Sequence, residues 1–115
     1  MRWTPLCALI AATTVACAGS PIEPLPFDAS VEASRTTAAP GDTISFVVNA
    51  QGGALLGVEI DYGDSTDDIF GTAGARTARV TFRHAYQASG TFVVRVVVTD
   101  AGAGQKEATV EVRVN

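Results

Sequence analysis

The chain has 115 residues, of which 47% are hydrophobic, and a formal net charge of −4. This length allows one small domain and nothing larger. The 8 Lys and Arg residues are dispersed along the chain and outnumbered by 12 Asp and Glu residues. Because nucleic-acid binding needs a concentrated basic surface, the composition argues against a nucleic-acid partner.

The first predicted element is a secretory signal peptide over residues 1–16. Arg2 supplies a positive charge, an uncharged apolar run follows over residues 6–12, and small residues precede Cys17. The run is shorter than the roughly 20 residues that a membrane-spanning helix needs. The alternative is a buried helix of the fold itself, which the following Pro21, Pro24 and Pro26 disfavour.

Cys17 is the predicted lipidation site. The segment Val15-Ala16-Cys17 resembles the end of a bacterial lipobox, in which the cysteine is lipidated and becomes the first residue of the mature protein. Acyl chains on Cys17 would anchor the protein to a membrane. Ordinary cleavage near Ala16 or Ala18 is the alternative, and it would give a secreted protein. By the same resemblance, Ala18 lacks the inner-membrane retention signal, so we predict an exported protein anchored to the cell envelope, at the outer membrane if the cell has one.

The folded part is predicted to contain no disulfide. Cys7 lies inside the apolar run of the leader and leaves with it, and Cys17 is the remaining cysteine. Residues 17–28 form a predicted tether, in which three prolines within six residues favour an extended, semi-rigid chain. The domain proper is predicted over residues 29–115, and its stability must come from its core alone.

Hydrophobic residues alternate with polar ones along most of the predicted domain. Such period-two runs are typical of half-buried strands, and turn-forming residues separate them. The run over residues 91–99 is apolar on both faces apart from Arg95, as expected for a strand with neighbours on both sides. The alternating strands are predicted at residues 43–49, 56–62, 77–83 and 108–114, with Leu56, Val58, Ile60 and Tyr62 on one face of the second. Short strands at this spacing, with no helical period, predict an all-β sandwich.

Two segments resemble PKD-type (polycystic kidney disease) domains. Residues 59–65, Glu-Ile-Asp-Tyr-Gly-Asp-Ser, resemble the W-D-F-G-D-G segment of that family, with departures at Ile60, Tyr62 and Ser65. Residues 82–100 resemble the family's V-x-H-x-Y…G-T-Y-x-V-x-L-x-V-x-D stretch almost position for position. The resemblance implies an immunoglobulin-like sandwich of about seven antiparallel strands and a non-catalytic module.

The shared residues have structural roles that follow from their chemistry. Gly63 can adopt a positive φ after a strand, and Asp64 can accept hydrogen bonds from backbone amides of its own turn. Tyr86 resembles the tyrosine corner of immunoglobulin-like sandwiches, with its ring in the core and its hydroxyl bonded to backbone. Gly90 permits the following strand to begin, and the resemblance assigns His84 to the fold rather than to catalysis.

One acidic cluster is a candidate calcium site. Asp61, Asp64, Asp67 and Asp68 place four carboxylates within eight residues of a turn. Calcium binds six to eight oxygens, and such a turn could offer several. The alternative is a solvated turn whose carboxylates repel one another and hold no metal, and it predicts that the protein needs no cofactor.

Three arginines form a candidate ligand-binding group. Arg76, Arg79 and Arg83 could share one side of a strand, where they would contact an anionic glycan or form the wet face of a strand edge. The sequence offers no comparable candidate for a catalytic site, because it contains neither a G-x-S-x-G segment nor a Gly-rich phosphate loop.

The sequence therefore predicts a non-enzymatic lipoprotein of the cell surface or periplasm. Its domain would act as a binding or adhesion module for envelope proteins or extracellular polysaccharide. The alternative is a structural spacer or envelope-assembly subunit without a ligand of its own.

Overall fold

The protein is all-β in a computed structural model that describes residues 26–115. The predicted leader, Cys7, Cys17 and most of the tether lie outside these residues. The strands are β1 (Asp28–Ala33), β2 (Thr37–Ala38), β3 (Thr43–Asp61), β4 (Asp67–Ala85), β5 (Gly90–Asp100) and β6 (Gly104–Val114). All pairs are antiparallel except the short pair of β2 with β6. Among the described residues, no helix is long and apolar enough to cross a membrane.

Two long strands connect the two layers of the fold. The first half of β3 pairs with β1 through Gln51, and its second half pairs with β5 from Leu55 onward. β4 pairs with β3 along both halves, and their register shifts between Gln51 and Gly57. The first layer is therefore β1, the first half of β3 and the second half of β4. The second layer runs from the first half of β4 through β3, β5 and β6 to β2.

The sequence predicts a turn at Gln51-Gly52-Gly53, but the structure continues β3 through it. Gly52 is buried, and a Cβ atom at this position would lie 2.8 Å from Asp100 Oδ1. The chain bends here instead of reversing, because glycine lets the backbone approach a neighbouring side chain closely. The predicted boundary between two strands is thus a bend inside one strand.

The core lies between the two layers and follows the predicted alternation. Ile44, Phe46 and Val48 of β3 are fully buried, as are Val94, Val96 and Val98 of β5. The other buried apolar residues are Ala38, Ala50, Leu55, Val58, Ile60, Tyr62, Val80, Phe82, Tyr86, Val112 and Val114. These residues form one cluster, so residues 26–115 contain their own hydrophobic core and can fold as one unit.

The prediction that Leu56 is a core residue is wrong. The sequence places Leu56 on the buried face with Val58 and Ile60, but Leu56 is 52% exposed and Leu55 is buried in its place. The register of β3 shifts between Leu55 and Gly57 against both neighbouring strands. A β-bulge at this point inserts one residue and reverses the alternation before it.

The outer face of β5 does not form a continuous apolar patch. Val93 is 54% exposed, whereas Val97 is partly buried. Their neighbours on β6 are Glu111 and Glu107 respectively, which place carboxylates next to both valines. This face therefore has the mixed composition of an ordinary solvent-exposed sheet.

Candidate functional site

The acidic turn between β3 and β4 uses two of its carboxylates to hold its own backbone. Asp61 Oδ1 accepts a hydrogen bond from the Gly63 amide at 2.9 Å. Asp64 Oδ1 accepts bonds from the amide of Thr66 at 3.2 Å and from the Thr66 hydroxyl. Gly63 and Ser65 have φ values of 84° and 74°, so the turn needs left-handed backbone at both positions.

His84 joins this turn to the end of β4. Its Nε2 atom lies 2.7 Å from Asp64 Oδ2, and its ring stacks on the Tyr62 ring with centroids 4.0 Å apart. Partial burial would raise the pKa of Asp64, but hydrogen bonds from Thr66 and His84 outweigh it and hold the pKa below its ordinary value. The carboxylate is therefore ionised at neutral pH and fixes His84 against the aromatic core.

Tyr62 and Tyr86 complete this hydrogen-bonded cluster. The Tyr62 hydroxyl donates to Asp68 Oδ2 at 2.7 Å, and the buried Tyr86 hydroxyl donates to the Tyr62 carbonyl at 2.7 Å. The Tyr86 ring also contacts His84 edge-on and stacks on Phe92. Burial raises the pKa of both tyrosines, and nearby carboxylates raise it further, so both hydroxyls remain donors.

This geometry does not form a nucleophile and base pair. The Thr66 hydroxyl lies 3.5 Å from His84 Nε2, but that nitrogen already contacts Asp64. In a catalytic triad the carboxylate bonds to Nδ1 of the histidine, and Nε2 takes the proton from the nucleophile. Asp64 therefore occupies the nitrogen that a general base would use.

The four aspartates of the predicted calcium site do not converge. Asp61 and Asp64 bond the turn backbone, and Asp68 accepts from Tyr62. Asp67 is the cross-strand neighbour of Asp61, so the register brings two of the four aspartates together and not all four. Within residues 26–115, no group of three or more His, Cys, Asp and Glu side chains is arranged to hold a metal ion. The cluster is thus better described as a turn that is fastened by hydrogen bonds.

Asp100 is a structural centre that the sequence did not reveal. It is 4% exposed at the end of β5, and its carboxylate accepts bonds from the amides of Ala54 (2.7 Å), Gly102 (3.0 Å) and Ala103 (2.9 Å). These bonds, that from Ala54 foremost, lower the pKa of its carboxyl. An aspartate before Ala-Gly-Ala-Gly signals the local turn, but its bond to Ala54 spans 46 positions and has no local signal.

The candidate arginines divide between two faces of β4. Arg79 and Arg83 lie on the outer face of the first layer, opposite Asn49 and Ser45 of β3. Successive side chains of a strand alternate between its two faces. Arg76 is three positions before Arg79, so it does not lie on the face that Arg79 and Arg83 share. The structure therefore brings together two of the three predicted ligand-binding residues.

An open groove of about 440 Å³ lies on this outer face, beside Arg79. Two rows of side chains cross three strands there: Asp28, Gln51 and Thr77 in one, and Ser30, Asn49 and Arg79 in the other. None of these six side chains hydrogen-bonds to another group among the residues that the structure describes. The groove thus presents a carboxylate, a guanidinium, two carboxamides and two hydroxyls to solvent.

Comparison with known families decides what kind of domain this is. The PKD domain family matches residues 28–114. The chain belongs to the PKD domain family. This confirms the resemblance read from residues 59–65 and 82–100 and the immunoglobulin-like β-sandwich that it implies.

Solved structures agree with this fold. The PKD domain of an M14-like peptidase from a Thermoplasmatales archaeon is 24% identical, with a TM-score of 0.67, over 75% of this chain and 91% of that one. The PKD domain of the human VPS10 domain-containing receptor SorCS2 is 19% identical, with a TM-score of 0.56, over 97% and 96% of the two chains. No curated protein matches the sequence.

A third structure carries metal. The CARDB domain of the PF1109 protein from Pyrococcus furiosus, solved in complex with di-metal ions, is 12% identical, with a TM-score of 0.60, over 83% of this chain and 97% of that one. At this identity the likeness extends to the fold alone, so it assigns no metal ligand to this PKD domain.

We predict that Tyr86→Phe destabilises the PKD domain by about 1 kcal/mol or more, because the buried Tyr62 carbonyl loses its donor. Urea denaturation of the parent and the variant measures this difference. Tyr62→Phe is the matched control: its partner Asp68 is exposed and can bond to water instead, so the loss should be smaller. Equal stability of Tyr86→Phe and the parent would show that the corner hydroxyl does not contribute.

We also predict that acid destabilises this PKD domain through Asp64 and Asp100. Both carboxyls have a folded-state pKa below the ordinary value, which the unfolded chain retains. Their stabilising contribution is therefore complete above about pH 4 and is lost as the pH falls through the folded-state values. Thermal melting at a series of pH values measures this, and a midpoint that does not fall in acid would contradict the assigned hydrogen bonds.

Proposed function

We propose that this protein is a non-enzymatic lipoprotein of the cell envelope whose PKD domain acts as a binding or adhesion module. The proposal rests on the polar groove of the first layer, whose six side chains have no partners among the described residues. The groove offers a guanidinium, a carboxylate and two carboxamides on one face, and a few polar groups converging in a groove suit an external polar ligand.

Extracellular polysaccharide is the ligand class that this groove fits best. Sugars present closely spaced hydroxyls that both donate and accept hydrogen bonds. Asn49 and Gln51 can do both through their amides, Arg79 can only donate, and the carboxylate of Asp28 can only accept. Arg83, two alternate positions beyond Arg79, would extend the contact along the strand for an anionic chain.

Retention on insoluble polysaccharide from the cell envelope tests this function. We expect the parent domain to co-sediment with it and Arg79→Ser to reduce the bound fraction. Arg113→Ser is the control, because Arg113 is also exposed but lies on β6 in the other layer. Retention that is absent in the parent, or equal in both variants, would reject polysaccharide binding at the groove and favour a spacer.

The proposed membrane anchor has its own test. Cys17→Ser removes the sulfur to which acyl chains would attach, so the variant should move from the membrane fraction to the soluble fraction. Cys7→Ser is the control, since that residue lies in the predicted leader and should leave the anchored form unchanged. A Cys17→Ser protein that stays with the membranes would overturn the lipoprotein assignment.

A further inference from the structure

One sheet edge of this domain carries exposed apolar side chains. The first half of β4, residues 67–71, pairs with β3 on one side and with no other strand among the described residues. Ile69 is 75% exposed and Phe70 is 52% exposed. The strand pairs with β3 in unbroken register up to Gly71, after which this pairing is interrupted and Ala73 and Gly74 have positive φ. A regular edge with free backbone groups and apolar side chains is a template for strand pairing.

The other sheet edges have features that discourage pairing. β1 presents the exposed carboxylates of Asp28 and Glu32, and the second half of β4 presents Arg79 and Arg83. β2 has only two residues and pairs with the end of β6, and the rest of the β6 edge presents Lys106, Glu107 and Glu111. Charged and very short edges are common means of preventing edge-to-edge association. Residues 67–71 therefore differ from the other edges of the same domain.

The charges along this edge are complementary to those of a second copy of the edge that runs antiparallel to it. Asp67 and Asp68 open the strand, the apolar pair follows, and Arg76 lies beyond its far end. An antiparallel partner with the same sequence would bring its basic end towards the acidic end of this strand. A strand ordered acidic, apolar, basic is thus complementary to itself in an antiparallel pair.

We propose that two copies of this chain associate by antiparallel pairing of residues 67–71, about a two-fold axis at Ile69. In this register Ile69 faces the partner's Ile69, Asp68 faces Phe70 and Asp67 faces Gly71, so no carboxylate lies opposite another. The second layers of the two copies become one continuous sheet. The pairing buries apolar side chains that are otherwise exposed, and it leaves the polar groove of the first layer open.

Disulfide trapping tests the register. Residues 26–115 contain no cysteine, so Ile69→Cys introduces a single thiol close to the proposed axis. Directly opposed residues in an antiparallel pair have Cα atoms about 4.5–5.5 Å apart, which permits a disulfide. We expect Ile69→Cys to give a covalent dimer under mild oxidation. Val93→Cys, which is similarly exposed but on the interior strand β5, should remain monomeric. Equal cross-linking of both variants, or of neither, would overturn the register.

Analytical ultracentrifugation of residues 26–115 tests whether two copies associate. We expect the parent to dimerise reversibly, and Ile69→Lys and Arg76→Glu each to raise the dimer Kd by about tenfold or more. Val93→Lys should leave the Kd unchanged, because it adds the same charge away from the edge. A parent that stays monomeric at every concentration would overturn the proposal and leave this edge available to a strand of another protein. Dimerisation unaffected by Ile69→Lys would assign the interface elsewhere.

Discussion

Replacing Asp100 with alanine is expected to lower the melting temperature of the domain by on the order of 10 °C, the largest effect predicted for a polar residue. The change removes the acceptor of three backbone amides, those of Ala54, Gly102 and Ala103. These amides belong to two separate segments, the bend of β3 and the turn between β5 and β6. Ala54 is partly buried, so its amide regains less from water after the loss of its acceptor than the amides of the exposed Gly102 and Ala103 do.

Thermal melting followed by circular dichroism measures this effect. Asp100→Asn should melt between the parent and Asp100→Ala, because its amide retains one oxygen acceptor. Asp67→Ala is the control, since Asp67 is exposed and accepts no hydrogen bond among the described residues. An Asp100→Ala variant that melts with the parent would contradict the proposed role of this carboxylate in joining the two segments.

Gly63→Ala is expected to destabilise the domain by about 2–5 kcal/mol. Gly63 has a φ of +84°, which disfavours any residue with a Cβ atom. In addition, a Cβ atom here would lie 2.7 Å from the Val93 carbonyl oxygen and 3.2 Å from the Val93 amide nitrogen. Both contacts are with backbone inside a paired strand, so neither can move aside by a side-chain rotation.

Gly41→Ala separates the two causes of this loss. Gly41 has a similar φ of +91°, but a Cβ atom there would meet nothing within 4 Å. This control should therefore cost only the conformational term, about 1–2 kcal/mol. Chemical denaturation of both variants gives the comparison. If Gly63→Ala costs no more than Gly41→Ala, the close approach of the β3–β4 turn to β5 is not as described.

The strands were predictable because each buries one face. The alternation in residues 43–49 and 77–83 identifies Ile44, Phe46, Val80 and Phe82 as core residues without knowledge of their partners. Turn chemistry is equally local: Gly63 adopts the expected positive φ, and Asp64 accepts from an amide two residues away. Local steric and hydrogen-bonding preferences are sufficient for predictions of this kind.

Features that depend on distant parts of the chain were not predictable. The bulge that exposes Leu56 arises where β3 passes from one layer to the other, which no local pattern shows. The hydrogen-bond partners of the carboxylates in the acidic turn are also hidden in its sequence. His84 lies 20 positions from Asp64, and only the folded chain brings them together. Likewise, the groove combines residues from three strands, of which only Arg79 was predicted.

The binding face can be tested most directly by NMR titration of isotope-labelled residues 26–115 with soluble fragments of envelope polysaccharide. If the groove binds this ligand, chemical shifts will change at Ser30, Asn49, Gln51, Thr77 and Arg79. The amides of the acidic turn and of the edge at residues 67–71 should remain unperturbed. Shifts confined to that turn or edge, or no shifts at any ligand concentration, would contradict the assignment of the first layer as the binding surface.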